Sequence, residues 1–469
     1  MRKICVGGAV RTAAEQTSVT MKAMKKVTSL KPIQVGLLGI GTVGSGVFNV
    51  LQRNQSEIFR RAGRGIAIAM VADLDTARAQ ATVGEGVQVV SDARAIIANP
   101  DIDIVVELIG GYGIAKQLVL EAIEAGKHVV TANKALLAVH GTEIFAAAQR
   151  KGVMVAFEAA VAGGIPIIKS LREGLTANRI EWIAGIINGT TNFILSEMRD
   201  KGLDFDVALK EAQRLGYAEA DPTFDIEGID AAHKAALMSA IAFGVPVQFD
   251  KAYVEGITRL GAQDIKYAEQ LGYRIKLLGI TKKTGQGIEL RVHPCLVPAK
   301  RLIANVEGAM NAVMVHGDAV GTTLYYGKGA GSEPTASAVI ADLVDIARLH
   351  SADAAQRVPH LAFQPDAMSD TPVLGMEKVV TSFYLRLHVA DEAGVLAKVT
   401  GILAQADISI DAMLQREADD VGGEGSTQTD LVILTHDCVE ANMNQAIAHM
   451  QALPTVLSPI VRIRKEELA

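Results

Sequence analysis

Cysteine is scarce in this 469-residue chain. Cys5, Cys295 and Cys438 lie far apart without CxxC or Cys/His spacing, which argues against a disulfide framework or a structural zinc site and fits a reducing cytoplasm. An excess of charge is missing too: 46 basic against 52 acidic residues leave a net charge of −6, so nothing favours a polyanion and nucleic acid is not expected as the main partner. Long apolar runs are also lacking. The richest stretch, Val153 to Ile168, is interrupted by Glu158 and contains Gly163, Gly164 and Pro166, too short and too polar to span a membrane. The first thirty residues show no sustained period and set Arg2, Lys3, Arg11, Lys22, Lys25 and Lys26 against one acid, Glu15. They read as a flexible extension over 1–31, as residues ahead of a start at Met21 or Met24, or as an organelle transit peptide. What is present is a globular composition, 49% hydrophobic and 21% charged, long enough for about three domains.

From Pro32 the texture changes. Ile33-Gln-Val-Gly-Leu-Leu is a short β-branched run leading into glycines spaced GxGxxG at Gly39, Gly41 and Gly44, then a helix from about Val43 to Arg53. Strands at Ile66–Asp73 and Ile102–Glu107 follow, then a helix over Ala115–Gly126 and strands at Lys127–Thr131 and Val153–Phe157. This βαβαβ order predicts a doubly wound parallel sheet, a Rossmann-type nucleotide domain over 32–155. Less regular alternation, with a strand from Trp182 and further sheet near Tyr253 to Ile257 and Leu277 to Val292, predicts a second α+β domain over 156–320. Pro359, Pro365 and Pro372 mark 351–377 as a linker, and the βαββαβ order over 378–469 suits a ferredoxin-like sandwich.

Four constellations carry chemistry. In the glycine loop, Gly39 permits the tight turn, Gly41 lets the backbone approach a pyrophosphate and Gly44 lets helix pack on strand, so the phosphates meet a helix N-terminus. Asp73 closes the second strand where an acid binds a ribose 2′-hydroxyl and repels a 2′-phosphate; Arg78 could relieve that repulsion, so NAD against NADP stays open. Thr131-Ala-Asn-Lys134 lies just after a strand, where ligands collect; it also reads as a helix cap with a solvated lysine. Phe157-Glu-Ala-Ala-Val-Ala-Gly-Gly-Ile-Pro166 sets Glu158 among small apolar residues, where it needs a cation or hydrogen-bond donors, and small residues free carbonyls for a hard cation; a close-packed turn with Glu158 salt-bridged fits equally. Finally, Glu219, Asp221, Asp225, Glu227 and Asp230 precede Lys234, with Asp230 and Lys234 four apart on one helical face. Acids before an apolar helix suit an ammonium-binding site, against the plainer reading of a solvated ion pair; His233 points away from Lys234 and reads as core or surface.

These motifs together resemble those of the homoserine dehydrogenases: GIGTVG at the loop, TANK at 131–134, FEAAVAGGIPII at 157–168, and NGTTNFIL at 188–195 with GYAEADPTFDIEGIDAAHK after it. The glycine loop is unspecific; the last pair is highly specific. The resemblance runs from about 32 to 350, and 380–469 resembles an ACT domain, with Asp391-Glu-Ala-Gly-Val-Leu396 at its first strand-to-helix turn; no kinase segment is expected ahead of it, as in the monofunctional form.

The resemblance implies interconversion of aspartate 4-semialdehyde and L-homoserine with NAD or NADP, in threonine, methionine and isoleucine biosynthesis. It implies Lys234 as catalytic acid/base, Lys134 as a second lysine near substrate and nicotinamide, and Glu219 and Asp230 holding the amino-acid group. Thr42, Val43 and Gly216 would touch the cofactor, as would a second glycine loop including Gly329 and Gly331, which suggests that the chain returns over 321–350 to complete the nucleotide domain. Glu158 and the backbone of Val161, Gly163 and Ile165 would surround a monovalent cation, sodium. The ACT-like domain implies inhibition by threonine, bound at an edge-to-edge sheet contact between two copies of a homodimer or homotetramer. Two other classes remain: a dehydrogenase of another amino-acid-like substrate, and a non-catalytic sensor of NAD(P) and amino acids, which would not require the Glu219, Asp230 and Lys234 constellation.

Overall fold

The computed structural model describes residues 30–416, 421 and 427–468, so all but the end of the expected extension lies outside the described residues. Six strands form the first sheet: β1 (Ile33–Leu38), β2 (Ile66–Ala72), β3 (Gln88–Val90), β4 (Ile104–Glu107), β5 (His128–Thr131) and β6 (Val155–Ala156). All pairings are parallel, in the order β3-β2-β1-β4-β5-β6. β1, β4 and β5 are buried almost throughout, which is why they read as near-continuous apolar runs. The strand order reverses between β1 and β4, which opens a crevice at their carboxyl ends, where this fold binds ligands.

Beyond β6 the chain builds a second sheet from β7 (Ile180–Ile186), β8 (Tyr253–Val254), β9 (Tyr273–Lys283), β10 (Ile288–Pro298), β11 (Met310–Gly317) and β12 (Gly321–Lys328). The expected single stretch Leu277 to Val292 is two antiparallel strands that turn at Thr284-Gly-Gln-Gly287. The hairpin β11–β12 has no counterpart in the sequence reading. The helix Ile229–Phe243 packs between β9 and β10 on one side and the helix Lys134–Lys151 of the first domain on the other. Beyond Lys234 it is apolar on every side but for Ser239, because it is buried on almost every side. The return to the first domain comes later than residue 321: β12 still pairs with β11, and only the helix Ser332–Leu349 crosses back, onto the helix Thr42–Arg53.

The C-terminal domain has β13 (Val380–Ala390), β14 (Ile410–Gln415), β15 (Gln428–Thr435), β16 (Cys438–Val439) and β17 (Val461–Lys465), with helices Val395–Gln405 and Glu440–Gln451. Its order β17-β13-β15-β14 is the ferredoxin-like one. This sheet is not separate. β17 pairs in parallel with β10, Cys295 opposite Arg464, so one sheet runs from β12 to β14 through two domains. The segment 351–377, expected as a linker, is irregular but tied down: the His360 ring accepts the Val155 N–H at 3.1 Å, and Leu374 N–H donates to Ile288 O at 2.8 Å.

Buried charge accompanies the shared sheet. Asp264, in the first turn of the helix Ala262–Gln270 and wholly buried, accepts from the Arg386 guanidinium at 2.6 and 3.0 Å and from Tyr384 Oη at 3.0 Å. Arg464, also fully buried, donates to Glu440 at 2.9 Å and Glu255 at 2.8 Å. A buried ion pair is weak evidence for stability, but removing one partner strands the other. Arg386→Met is therefore expected to destabilise the protein by about 3–5 kcal/mol in denaturant unfolding. Arg53→Met, which breaks the exposed pair with Glu333, should change little. Equal losses would contradict the seam's role.

Candidate active site

The helix Ile229–Phe243 begins where the acid-rich loop ends, which sets Asp230 in its first turn and Lys234 one turn on. Neither is solvated: Asp230 is 3% and Lys234 8% exposed. Lys234 Nζ donates to Asp230 Oδ2 at 2.7 Å and to Ile187 O, just past β7, at 2.7 Å. The other carboxylate oxygen faces the first domain, where Lys134 Nζ lies 3.2 Å from Asp230 Oδ1. Lys134 is the first residue of its helix, at the carboxyl end of β5. Asp230 thus stands between two lysines contributed by two domains. Burial alone would raise its pKa; the charges of Lys234 and Lys134 outweigh that and hold the carboxyl well below the usual range. The Asp230 charge in turn raises Lys134, against the opposing effect of burial.

Lys134 is aimed by a chain of buried polar groups. Glu107, at the end of β4 and wholly buried, accepts the N–H groups of Ile109 and Gly110 and the hydroxyl of Thr131. Thr131 Oγ1 accepts Asn133 N–H, and Asn133 Oδ1 caps the helix at Leu136 N–H. The TANK segment is therefore a helix cap, one of the two readings its residues leave open, and its lysine is paired with Asp230.

Asn188 was not singled out by sequence reasoning as a site residue. It caps the helix Gly189–Lys201, its Oδ1 accepting Thr191 N–H at 2.8 Å, while Nδ2 donates to Asp225 Oδ1 at 2.7 Å and Asp230 Oδ2 at 2.9 Å. One amide thus clamps two carboxylates. Asp225 is raised by its own burial and then by the Asp230 charge. The available signal was a cap residue at a strand-to-helix junction inside the NGTTN motif. Glu219 sits exposed on the rim, its charge acting on Lys134, and Gly216 precedes it in the left-handed region at φ 76°. His233 is core: it lies between the rings of Phe224 and Phe249, and burial lowers it to about 4.

At the other end of the crevice the glycine loop has the expected form. Gly39 has φ +94°, and a Cβ on Gly44 would fall 2.2 Å from Gly39 O. Gly41 caps the helix Thr42–Arg53 without a side chain, which leaves the N–H groups of its first turn, Thr42 and Val43 included, facing outward. Asp73 Oδ2 accepts Ile40 N–H at 2.8 Å and Oδ1 accepts Asp75 N–H at 2.9 Å. Partial burial raises Asp73, but these donors and Arg78, 3.5 Å away, outweigh it and hold the carboxyl below its ordinary value. A cavity of about 490 Å³ lined by Gly39, Gly41, Asp73, Arg78 and Arg94 opens here. The second glycine loop abuts the segment after Glu158: a Cβ on Gly163 would lie 2.4 Å from Gly329 O, and Gly164 N–H donates to Lys328 O at 3.0 Å. Past Gly331, Ser332 Oγ donates to Thr42 O at 2.7 Å, which brings this loop to the mouth of the first.

Glu158 uses both carboxylate oxygens to accept Ile168 and Lys169 N–H, at 2.9 and 2.8 Å, and its own N–H donates to the buried Asp342 at 2.8 Å. Burial, then the Asp342 charge, push Glu158 up to about 7; burial pushes Asp342 to about 6. Two buried acids with raised pKa values are a place where a cation is favoured. Backbone of Val161 and Ile165 flanks Ala162 and Gly163, both in the left-handed region at φ 56° and 52°. His293, Cys295 and Glu466 also converge at the seam within 4.8 Å, but the Arg291 guanidinium bonds both His293 Nε2 and Glu466, so this group is already committed to a cation of the protein.

Comparison with known proteins agrees with this geometry. The profile described as homoserine dehydrogenase matches residues 166–344, that described as homoserine dehydrogenase, NAD binding domain, matches 39–158, and an ACT domain profile matches 383–454. A homoserine dehydrogenase of Pseudomonas aeruginosa is 59% identical over 94% of this chain and 100% of its own length. The crystal structure of a homoserine dehydrogenase from Thiobacillus denitrificans has a TM-score of 0.89 at 64% identity, covering 94% of this chain and 99% of that one. A hyperthermophilic archaeal homoserine dehydrogenase in complex with NADPH has a TM-score of 0.59 at 25% identity, covering 69% of this chain and 99% of that one.

Without the Asn188 amide the two carboxylates lose a shared donor, which should raise their pKa values. Asn188→Ser, which keeps a helix cap, is expected to move the acid limb of the pH–rate profile upward by about one unit. An unmoved limb would reduce Asn188 to a cap.

Proposed function

The chain belongs to the homoserine dehydrogenase family and is an NAD(P)-dependent oxidoreductase of that activity, and from this premise we propose how its own residues carry the reaction. The observation that supports the reading best is the line Lys134–Asp230–Lys234 across the cleft between the two domains. Glu219, on the rim, and Asp230, at the floor, hold the ammonium group of L-homoserine or aspartate 4-semialdehyde. Lys234 faces the substrate oxygen. A nicotinamide cofactor, held by Gly39, Gly41, Thr42, Val43 and Gly44 with Gly216, Gly329 and Gly331 closing over it, supplies or accepts the hydride when bound.

In the reducing direction negative charge builds on the aldehyde oxygen; the Lys234 ammonium stabilises it and delivers the proton that completes the hydroxyl. In the oxidising direction Lys234 takes the hydroxyl proton as hydride leaves the carbon that bears it. Lys134, held charged by Asp230, is the second cation over substrate and nicotinamide. Asp73 supports NAD, because a carboxylate fixed by two backbone N–H groups suits a ribose 2′-hydroxyl; Arg78 at its edge supports acceptance of the 2′-phosphate of NADP.

Further parts of the reading rest on the same architecture. Glu158, with backbone carbonyls of Val161, Gly163 and Ile165, takes a monovalent cation, sodium, which would keep Glu158 ionised at neutral pH. The C-terminal ACT domain makes threonine the allosteric inhibitor, in a cytoplasmic homodimer or homotetramer serving threonine, methionine and isoleucine synthesis. Among the described residues no helix is long and apolar enough to cross a membrane.

The test is nicotinamide reduction with L-homoserine at alkaline pH, with NAD and NADP in turn and with and without L-threonine. Lys234→Ala is expected to lower kcat by roughly 10²–10⁴-fold with cofactor affinity retained; equal loss of both would remove the acid/base assignment. Glu219→Ala should chiefly raise KM for homoserine, and an unchanged KM would count against its role.

A further inference from the structure

Asn311 stands where the second glycine loop meets the substrate half of the site. It is the second residue of β11 and 1% exposed, yet among the described residues neither its Oδ1 nor its Nδ2 has a hydrogen-bond partner. Burying an amide in this way costs stability, and an apolar residue of similar size would avoid the cost. Buried side-chain amides are almost always bonded, so one that is not marks a group whose partner arrives in another arrangement of the site.

Its two neighbours show what that arrangement involves. On one side, Asn311 lies opposite Gly327 in the β11–β12 hairpin, and a Cβ on Gly329 would overlap the amide itself. The loop thus rests against the amide without bonding it, an approach that only glycine at 329 permits. On the other side is the start of the helix Gly189–Lys201, where a Cβ on Gly189 would stand 3.5 Å from Asn311 Oδ1. Pairing of Ala312 with Ile186 brings Asn311 to the end of β7, which runs on into Ile187 and Asn188, the partners of Lys234 and of Asp225 and Asp230. This side is fixed: Asn192 Nδ2 donates to Gly308 O at 2.8 Å and Met310 O at 3.2 Å, tying the approach to β11 to the helix. The loop is the part able to shift, because Gly327, Gly329 and Gly331 place three glycines within five residues.

We propose that Asn311 is a positioning residue for hydride transfer: its amide hydrogen-bonds the main chain of the second glycine loop when that loop shifts onto a bound nicotinamide cofactor. The bond sets the loop in register with the helix that follows Asn188, and so sets the cofactor against the substrate. A misplacement of about 1 Å at such a site costs on the order of a hundredfold in rate, so a single amide at this junction is enough to matter. The proposal rests on the reading of Gly329 and Gly331 as cofactor contacts and adds the group that registers them against the substrate.

The experiment compares full-length wild type with Asn311→Leu, which is similar in volume and has no polar side-chain atom. Without cofactor the variant is expected to unfold at the same temperature as wild type or higher, because an unbonded buried amide has been removed. Main-chain hydrogen exchange at 327–331 should slow when NADH or NADPH is added to wild type, and much less in the variant. In homoserine oxidation kcat is expected to fall about tenfold or more with KM for homoserine little changed. Homoserine deuterated at the carbon that bears the hydroxyl should then show a larger isotope effect than with wild type, since hydride transfer has become slower. A stable variant with wild-type kcat, isotope effect and cofactor-induced protection overturns the proposal while the loop's contact with the cofactor stands. If neither cofactor slows exchange at 327–331 in wild type, that contact fails and the proposal with it. Should the leucine variant not fold, Asn311→Ser carries the same comparison, with a smaller loss in the same direction expected and wild-type values overturning the proposal.

Discussion

A carboxylate with almost no contact with water stays ionised only if cations are brought to it, and at Asp230 they arrive from two domains. Lys234 comes from the same helix, fixed by helical spacing; Lys134 comes from across the cleft, fixed by the Glu107–Thr131–Asn133 network. The rest of the catalytic region is arranged around this requirement. The doubly wound sheet sets Lys134 at the carboxyl end of β5, the second sheet and the buried helix set Asp230 and Lys234 opposite it, and the Asn188 amide bridges Asp225 and Asp230. In the proposed reading, the same charges that face each other across the cleft lie beside a developing alkoxide.

The seam with the C-terminal domain follows a similar logic at a different place. Asp264 with Arg386, and Arg464 with Glu255, are pairs whose partners come from the two sides of the β10–β17 junction, and Glu440, from the same domain as Arg464, gives that guanidinium its second carboxylate. A sheet edge left open invites wrong pairing, and here the edge of each domain is closed by the other. The C-terminal domain is therefore continuous with the domain that carries β10 through main-chain hydrogen bonds, and β10 pairs in turn with β8 at the start of the 253–258 segment.

Much of this was legible in the residues. The GIGTVG loop, the apolar strands and the βαββαβ order at the C-terminus are local patterns, each set by a period or a turn, and the sheets follow them. Lys134, Asp230 and Lys234 could be picked out singly, yet their convergence depends on how two domains face each other, which no spacing encodes. Asn188 was hidden for a related reason: its cap is local, but its second task joins residues 37 and 42 positions away. The β11–β12 hairpin was missed because Met310–Gly317 and Gly321–Lys328 gain their strand character from pairing with each other and with β7, which burial patterns along one short run do not show. The continuity of β10 with β17 is a contact across well over a hundred residues and left no trace in composition.

The helix Ser332–Leu349 has a consequence for how the chain is made. It lies against the helix Thr42–Arg53, and the contact between Ser332 and Thr42 closes a loop of 290 residues. The nucleotide domain is thus split in sequence around the entire substrate domain. During synthesis its parallel sheet emerges first but is left without this covering helix until the inserted domain has been made, so the apolar side of Thr42–Arg53 is left uncovered until then. Completion of the nucleotide domain is in this way timed by the folding of the inserted domain.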